Sequence, residues 1–115
     1  MVKVYHNNRC SKSRGACQIL SENGVQAEVL EYLKTPLTEA EIADLLVKLN
    51  MKAADLVRKN EGIYKSDHAG KNYSETEWIS ILAANPILIE RPIIVKGDKA
   101  IIGRPPEKVL DFLQL

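Results

Sequence analysis

The stretch Tyr5-His6-Asn7-Asn8-Arg9-Cys10-Ser11-Lys12-Ser13-Arg14 decides the fold. Before it, Val2 and Val4 alternate with Lys3 and Tyr5, the period of a short strand. After it, Gly15-Ala16-Cys17-Gln18-Ile19-Leu20 carries the apolar spacing of a helix. Cys10 therefore stands at a strand-to-helix junction, where unpaired N–H groups and the positive end of a helix dipole gather. A thiol in that place is biased toward thiolate, and Arg9, Lys12 and Arg14 add positive charge beside it. The same N–H groups suit an oxyanion. A nucleophile and an anion site fall on the same few residues.

Asn23-Gly24 stops the first helix, with Gly24 suited to a left-handed cap. Residues 25–32 alternate as a second strand, and Thr35-Pro36 breaks the chain. Thr38-Glu39-Ala40-Glu41 is a capping box, followed by a helical stripe of Ile42, Leu45, Leu46 and Leu49. A shorter helix is expected at residues 53–59 and a polar loop at 62–73. Ser74-Glu75-Thr76-Glu77 is a second capping box, opening a helix with Trp78, Ile81 and Leu82 that ends near Asn85-Pro86. Residues 92–96 and 100–103 flank Gly97-Asp98-Lys99 as a hairpin. Pro105 and Pro106 suit the first turn of a last helix, with Val109, Leu110 and Leu113 facing inward.

The expected order is β-α-β, a helical block, then β-β-α. A parallel pair joined by a crossover helix, with an antiparallel hairpin and a closing helix, is the thioredoxin-like plan, an α/β fold with a mixed four-stranded sheet. The chain reads as one domain over residues 1–115, with the helical insertion at about 38–85. A net charge of +1 implies no general affinity for nucleic acid or membrane. There is no run of membrane-spanning length and no signal-peptide pattern. Two cysteines seven residues apart form no disulfide framework, so a reducing cytoplasm is the expected compartment. Cysteine and histidine are too few for a structural zinc site.

Cys10 and Ser13 have C-x-x-S spacing, so a self-contained dithiol centre is not expected. A phosphatase-type loop needs arginine six positions after its cysteine, where this chain has Ala16. What remains is a single activated thiol that an outside thiol must resolve. Cys17, among Ala16, Ile19 and Leu20, reads as a core residue. Helical geometry would hold it roughly 10 Å from Cys10, beyond the about 7 Å between α-carbons that a disulfide tolerates. His6 would either support the thiolate or merely be hydrogen-bonded in the turn. Ser13 would either donate its hydroxyl to Cys10 or serve only the helix's first turn. Arg58, Arg91 and Arg104 each stand at the end of an element, where sites are assembled, and arginine's planar fork grips two oxygens at once.

Four motifs carry a family resemblance: H-N-x-x-C-x-x-S-R at residues 6–14, L-V-R-K-N at 56–60, N-P-I-L-I-E-R-P-I-I-V at 85–95 and I-G-R-P-P-E at 102–107. In this order they resemble the glutaredoxin-coupled arsenate reductases, in particular the short, arsenate reductase-like members. The resemblance implies a thioredoxin-like fold with Cys10 as nucleophile, Arg58, Arg91 and Arg104 as oxyanion clamps, and His6 and Ser13 in support of the thiolate. It further implies arsenate as substrate, glutathione as co-substrate, glutaredoxin as the regenerating partner, and no bound cofactor or metal. A monomer is expected. The family commonly has proline where this chain has Asn8. Two alternatives stand beside it: a redox-sensing transcriptional regulator of the same fold, against which Ser13 argues because such proteins usually carry C-x-x-C, and a monothiol glutathione-dependent oxidoreductase not acting on arsenate. Pro92 stands where thioredoxin-like folds commonly have a cis proline, so the Arg91–Pro92 bond is expected to be cis, turning Arg91 toward Cys10.

Overall fold

The computed structural model describes residues 2–114; Met1 and Leu115, the ends of the expected 1–115 domain, lie outside the described residues. In chain order the elements are β1 (Val2–His6), α1 (Ser11–Glu22), β2 (Ala27–Glu31), α2 (Glu39–Leu49), a 3-10 turn (Ala53–Leu56), a π turn (Tyr64–His68), α3 (Glu75–Ala84), a 3-10 turn (Pro86–Leu88), β3 (Ile93–Lys96), β4 (Lys99–Ile102) and α4 (Lys108–Leu113). They group into two compact units, one formed by the chain up to Thr35 and from Arg91 onward, the other by Pro36–Glu90. No helix is long and apolar enough to cross a membrane among the described residues.

The first unit is a mixed sheet in the order β2-β1-β3-β4. β1 pairs parallel with β2 through the α1 crossover and antiparallel with β3, and the β3–β4 hairpin completes it. This is the thioredoxin-like arrangement. Its core joins Val2 and Val4 of β1, Ala16 and Leu20 of α1, Ile94 of β3, and Val109 and Leu113 of α4. Val4, Ala16, Ile94 and Val109 are fully buried; each large side chain among them stabilises the fold by about 1.5–3 kcal/mol relative to exposure. Leu110, expected inward, is only partly buried.

Several boundaries differ from expectation for identifiable reasons. β2 is shorter than residues 25–32 because the Val25 N–H bonds the Leu20 carbonyl (2.9 Å), closing the end of α1 instead of joining the ladder. Gly24 is left-handed (φ +69°), as its cap position requires. The β3–β4 turn has two residues rather than three, since Lys99 pairs with Lys96 across Gly97 (φ +65°) and Asp98. Pro105 and Pro106 precede α4, and their carbonyls accept from Lys108 and Val109.

In the second unit both capping boxes form. The Thr38 hydroxyl accepts from Glu41 N–H while the Glu41 carboxylate accepts from Thr38 N–H, and Ser74 and Glu77 do the same. The helix expected at residues 53–59 stops at Leu56 because Val57 leaves to bridge Ile89 antiparallel. The polar loop at 62–73 contains the π turn, and Tyr73 packs edge-on against Trp78 at 4.8 Å. Arg91–Pro92 is cis, as expected, and so is Arg104–Pro105.

Gly103 follows β4 where backbone and core meet most closely. A β-carbon there would lie 2.8 Å from Ile94 Cδ1 and 3.1 Å from Pro92 Cγ. Gly103→Ala is therefore expected to destabilise the protein by about 1–3 kcal/mol through overpacking, read as a lower urea midpoint with an unchanged m-value.

Candidate active site

Cys10 is the N-cap of α1, in extended conformation (φ −96°, ψ 123°). The loop before it turns sharply: the Cys10 N–H donates to the Asn7 carbonyl (3.0 Å), and the Arg14 N–H donates to the Cys10 carbonyl (3.0 Å), starting the helix. The thiol is buried, at 8% exposure. No side chain caps α1 through a hydrogen bond, and its first turn contains no acidic residue. α2 and α3, by contrast, each have two glutamates in the first turn.

The sheet brings two arginines to this helix end. Because Tyr5 pairs with Ile93 and Ile93 with Ile102, the start of β3 and the end of β4 lie at the edge of the sheet where β1 runs into the Cys10 loop. Arg91 precedes β3, and Arg104 follows β4. Arg104 donates from Nη2 to Cys10 Sγ (3.2 Å) and from Nε to the Arg91 carbonyl (2.6 Å). The Arg91 side chain also hydrogen-bonds Cys10. One thiol thus faces two guanidinium groups.

Burial alone would push the thiol up. The N–H of Ser13, the guanidinium groups of Arg91 and Arg104 and the N–H of Lys12 outweigh it, lowering Cys10 below the ordinary thiol range to about 7. Each of these donors stabilises the anion specifically. Cys17, half-buried and packed against the core of the first unit, is pushed up by burial. The two thiols are chemically unlike.

His6 and Ser13 stand one step back from the sulfur. His6 Nδ1 is 2.8 Å from Ser13 Oγ and 3.6 Å from Cys17 Sγ, with the imidazole tautomer setting the direction of these bonds. Ser13 Oγ also accepts the Asn7 N–H (3.0 Å). Ser13 therefore reaches Cys10 through its backbone N–H, and its hydroxyl is occupied by His6 and Asn7. Among the described residues, the buried polar or charged residues are His6, Asn7, Ser13 and Arg91, all within this constellation. Burying such groups is costly unless they are hydrogen-bonded, so their concentration here marks a built polar site within an apolar fold.

Arg58 belongs to the second unit. It is part-buried, pairs with Glu61 (3.3 Å) and Glu90 (4.0 Å), and its N–H bonds the Leu88 carbonyl (2.6 Å). Its Nη1 is buried, faces Glu90 Oε1 at 4.0 Å and makes no hydrogen bond among the described residues. Among the described residues no group of three or more His, Cys, Asp or Glu is arranged to hold a metal ion. Sequence reasoning did not single out Asn7; its position at the head of an Asn-Asn turn was the available signal.

The arrangement makes Cys10 a nucleophile near neutrality, and its alkylation rate against pH should show a midpoint close to 7. Below that midpoint the rate should fall about tenfold per pH unit as thiolate is lost. Arg104→Gln should move the midpoint upward, because it removes one charge-assisted bond to the anion.

Comparison with known proteins agrees with this architecture. The ArsC family matches residues 5–112. The YfgD protein of Escherichia coli strain K12, whose name assigns it no function, is 49% identical over 97% of this chain and 96% of its own. The arsenate reductase of Neisseria meningitidis serogroup A is 38% identical over 94% of each chain. Among solved structures, an arsenate reductase from Vibrio cholerae is 37% identical and superimposes with a TM-score of 0.91, covering 96% of this chain and 95% of that one. With the strand order, the helix-end cysteine and these matches in place, the chain belongs to the ArsC family.

Proposed function

We propose that this protein reduces arsenate to arsenite, with Cys10 as its single nucleophile and glutathione as the thiol donor. The observation that carries the reading is the contact between Arg104 Nη2 and Cys10 Sγ at 3.2 Å, with Arg91 on the same sulfur. A nucleophile set between guanidinium groups suits a substrate that arrives as a tetrahedral oxyanion. The relatives named arsenate reductase give the oxyanion its identity.

In this reading the Cys10 thiolate attacks pentavalent arsenic, forming an S–As bond as one arsenate oxygen departs as water. The guanidinium groups of Arg91 and Arg104 hold the remaining oxygens and the negative charge that gathers on them in the transition state. Glutathione then attacks the adduct. Two electrons pass from the thiols to arsenic, arsenite is released, and the thiols end as a disulfide that a second thiol resolves. Glutaredoxin regenerates the reduced thiol. In this reading Arg58 is the third clamp, on the strength of its motif at residues 56–60. His6 and Ser13 act through the loop that carries Cys10. Both cysteines are free, which fits work in a reducing cytoplasm. The reaction needs no bound cofactor, and the protein acts as a monomer.

The test is arsenate-dependent NADPH oxidation coupled through glutathione, glutaredoxin and glutathione reductase. Wild type should turn over, and omission of glutathione should stop it. Cys10→Ser should be inactive, because a hydroxyl there stays protonated with no adjacent strong base to activate it. Cys17→Ala should keep most of the activity and lose about 1 kcal/mol of stability. If folded Cys17→Ala is as inactive as Cys10→Ser, Cys17 resolves the adduct and the glutathione-coupled reading is wrong. Glutathione–disulfide exchange without arsenate turnover would instead assign the protein as a monothiol oxidoreductase.

Within the same assay, Arg91→Lys should raise the KM for arsenate about tenfold or more despite the retained charge, since an ammonium cannot reproduce a two-pronged grip. An unchanged KM would remove Arg91 from the oxyanion site.

A further inference from the structure

Asn7 is only 4% exposed, and its N–H, Oδ1 and carbonyl all bond within the Cys10 loop and the first turn of α1. Its N–H donates to Ser13 Oγ (3.0 Å), its Oδ1 accepts the Arg9 N–H (3.0 Å), and its carbonyl accepts the Cys10 N–H (3.0 Å). The side-chain bond to the residue two positions on is an Asx turn, the local device by which asparagine fixes a bend. From the other side, Arg14 of α1 reaches back and donates from Nη1 to the Asn8 carbonyl (2.9 Å). A cation in the first turn of a helix faces the positive end of its dipole, an unfavourable place. The Asn8 carbonyl offsets that cost while tying the helix to the loop.

We propose that Asn7 and Arg14 are positioning residues that clamp the Cys10 loop from two sides and hold the sulfur at the open end of α1, against Arg104. Asn7 is also the joint between His6 and the thiol. The hydrogen-bonded path runs from His6 Nδ1 to Ser13 Oγ, from there to Asn7 N–H, and from the Asn7 carbonyl to Cys10 N–H. Asn8 imposes no covalent limit on the backbone, so these bonds fix the turn. Loss of either arm lets the sulfur drift from donors that act at hydrogen-bond distance. A displacement of about 1 Å can cost on the order of a hundredfold in rate.

This inference rests on the reading of Cys10 as the reactive thiol, but not on arsenate as its substrate. It is tested by alkylating the full-length protein with iodoacetamide across about pH 5 to 10 and following the Cys10 peptide by mass spectrometry, so that Cys17 does not contribute. Asn7→Ala should raise the midpoint by about one unit, toward the free-thiol value of about 8.5. Asn7→Ser, whose hydroxyl forms the same local turn more weakly, should fall between Asn7→Ala and wild type. Arg14→Gln should raise the midpoint more than Lys12→Gln, which removes the same charge from the same helical turn but no bond to Asn8. A wild-type midpoint in folded Asn7→Ala overturns the proposal, as do equal shifts from Arg14→Gln and Lys12→Gln, which would make the effect one of charge alone. Should Asn7→Ala fail to fold by circular dichroism, Asn7→Ser and the exposed pair Arg14→Gln and Lys12→Gln decide the matter on the same criteria. A low midpoint that the variants raise, in a protein that does not turn over arsenate, would overturn the proposed function and leave the clamp standing.

Discussion

Arg104 holds the site together with one guanidinium group. Its Nε meets the Arg91 carbonyl at 2.6 Å and its Nη2 meets Cys10 Sγ at 3.2 Å. The end of β4, the start of β3 and the start of α1 thereby share one side chain. The sheet makes this reach possible. With β1 central and β3 antiparallel to it, the chain entering β3 and the chain leaving β4 lie beside the loop that leaves β1. A different strand order would leave Arg104 without its thiol.

The polar interior follows from that contact. A thiolate inside a fold needs donors on several sides, because burial penalises the anion and only directed N–H groups restore it. Here the donors are backbone groups of the first turn of α1 and two arginines drawn from 80 or more residues away in sequence. Asn7, Ser13 and His6 are buried beside the loop as well, each with its hydrogen bond made inside the fold. The apolar core of Val4, Ala16, Ile94 and Val109 supplies the rigid support from which these polar groups project. Stability and reactivity are thus divided by region. The sheet-and-helix core holds the fold, and the polar end of the sheet holds Cys10 and its donors.

The thiol and the helix dipole also explain an inversion in charge placement. α2 and α3 open with glutamates, as helices usually do, and both are closed by reciprocal capping boxes. α1 opens with Lys12 and Arg14, with no acid and no side-chain capping bond. That start is poorer for helix stability and better for an anion. The helix tolerates it because Ala16 and Leu20 bury its inner face against α4 and the sheet.

Much of this was written in local sequence. The junction of an alternating strand with an apolar-periodic helix placed Cys10 at a helix end, because both periodicities are short-range. The capping boxes at Thr38 and Ser74 and the turn at Gly97 were legible for the same reason, each being decided within about four residues. Tertiary structure decided the rest. The helix expected at residues 53–59 yields at Val57 to a bridge with Ile89, a pairing that no window around residue 57 contains. The Ser13 hydroxyl, one of whose expected roles was to donate to Cys10, turns to His6 and Asn7, while the Ser13 N–H faces the sulfur. Composition and spacing can put a serine near a thiol; they cannot say which of its donors points there. The acidity of Cys10 depends on Arg91 and Arg104, and their approach exists only once β3 and β4 pair beside β1. A local signal fixes what a residue is and which element it starts; the contacts that tune its chemistry come from chain segments that meet only in the folded sheet.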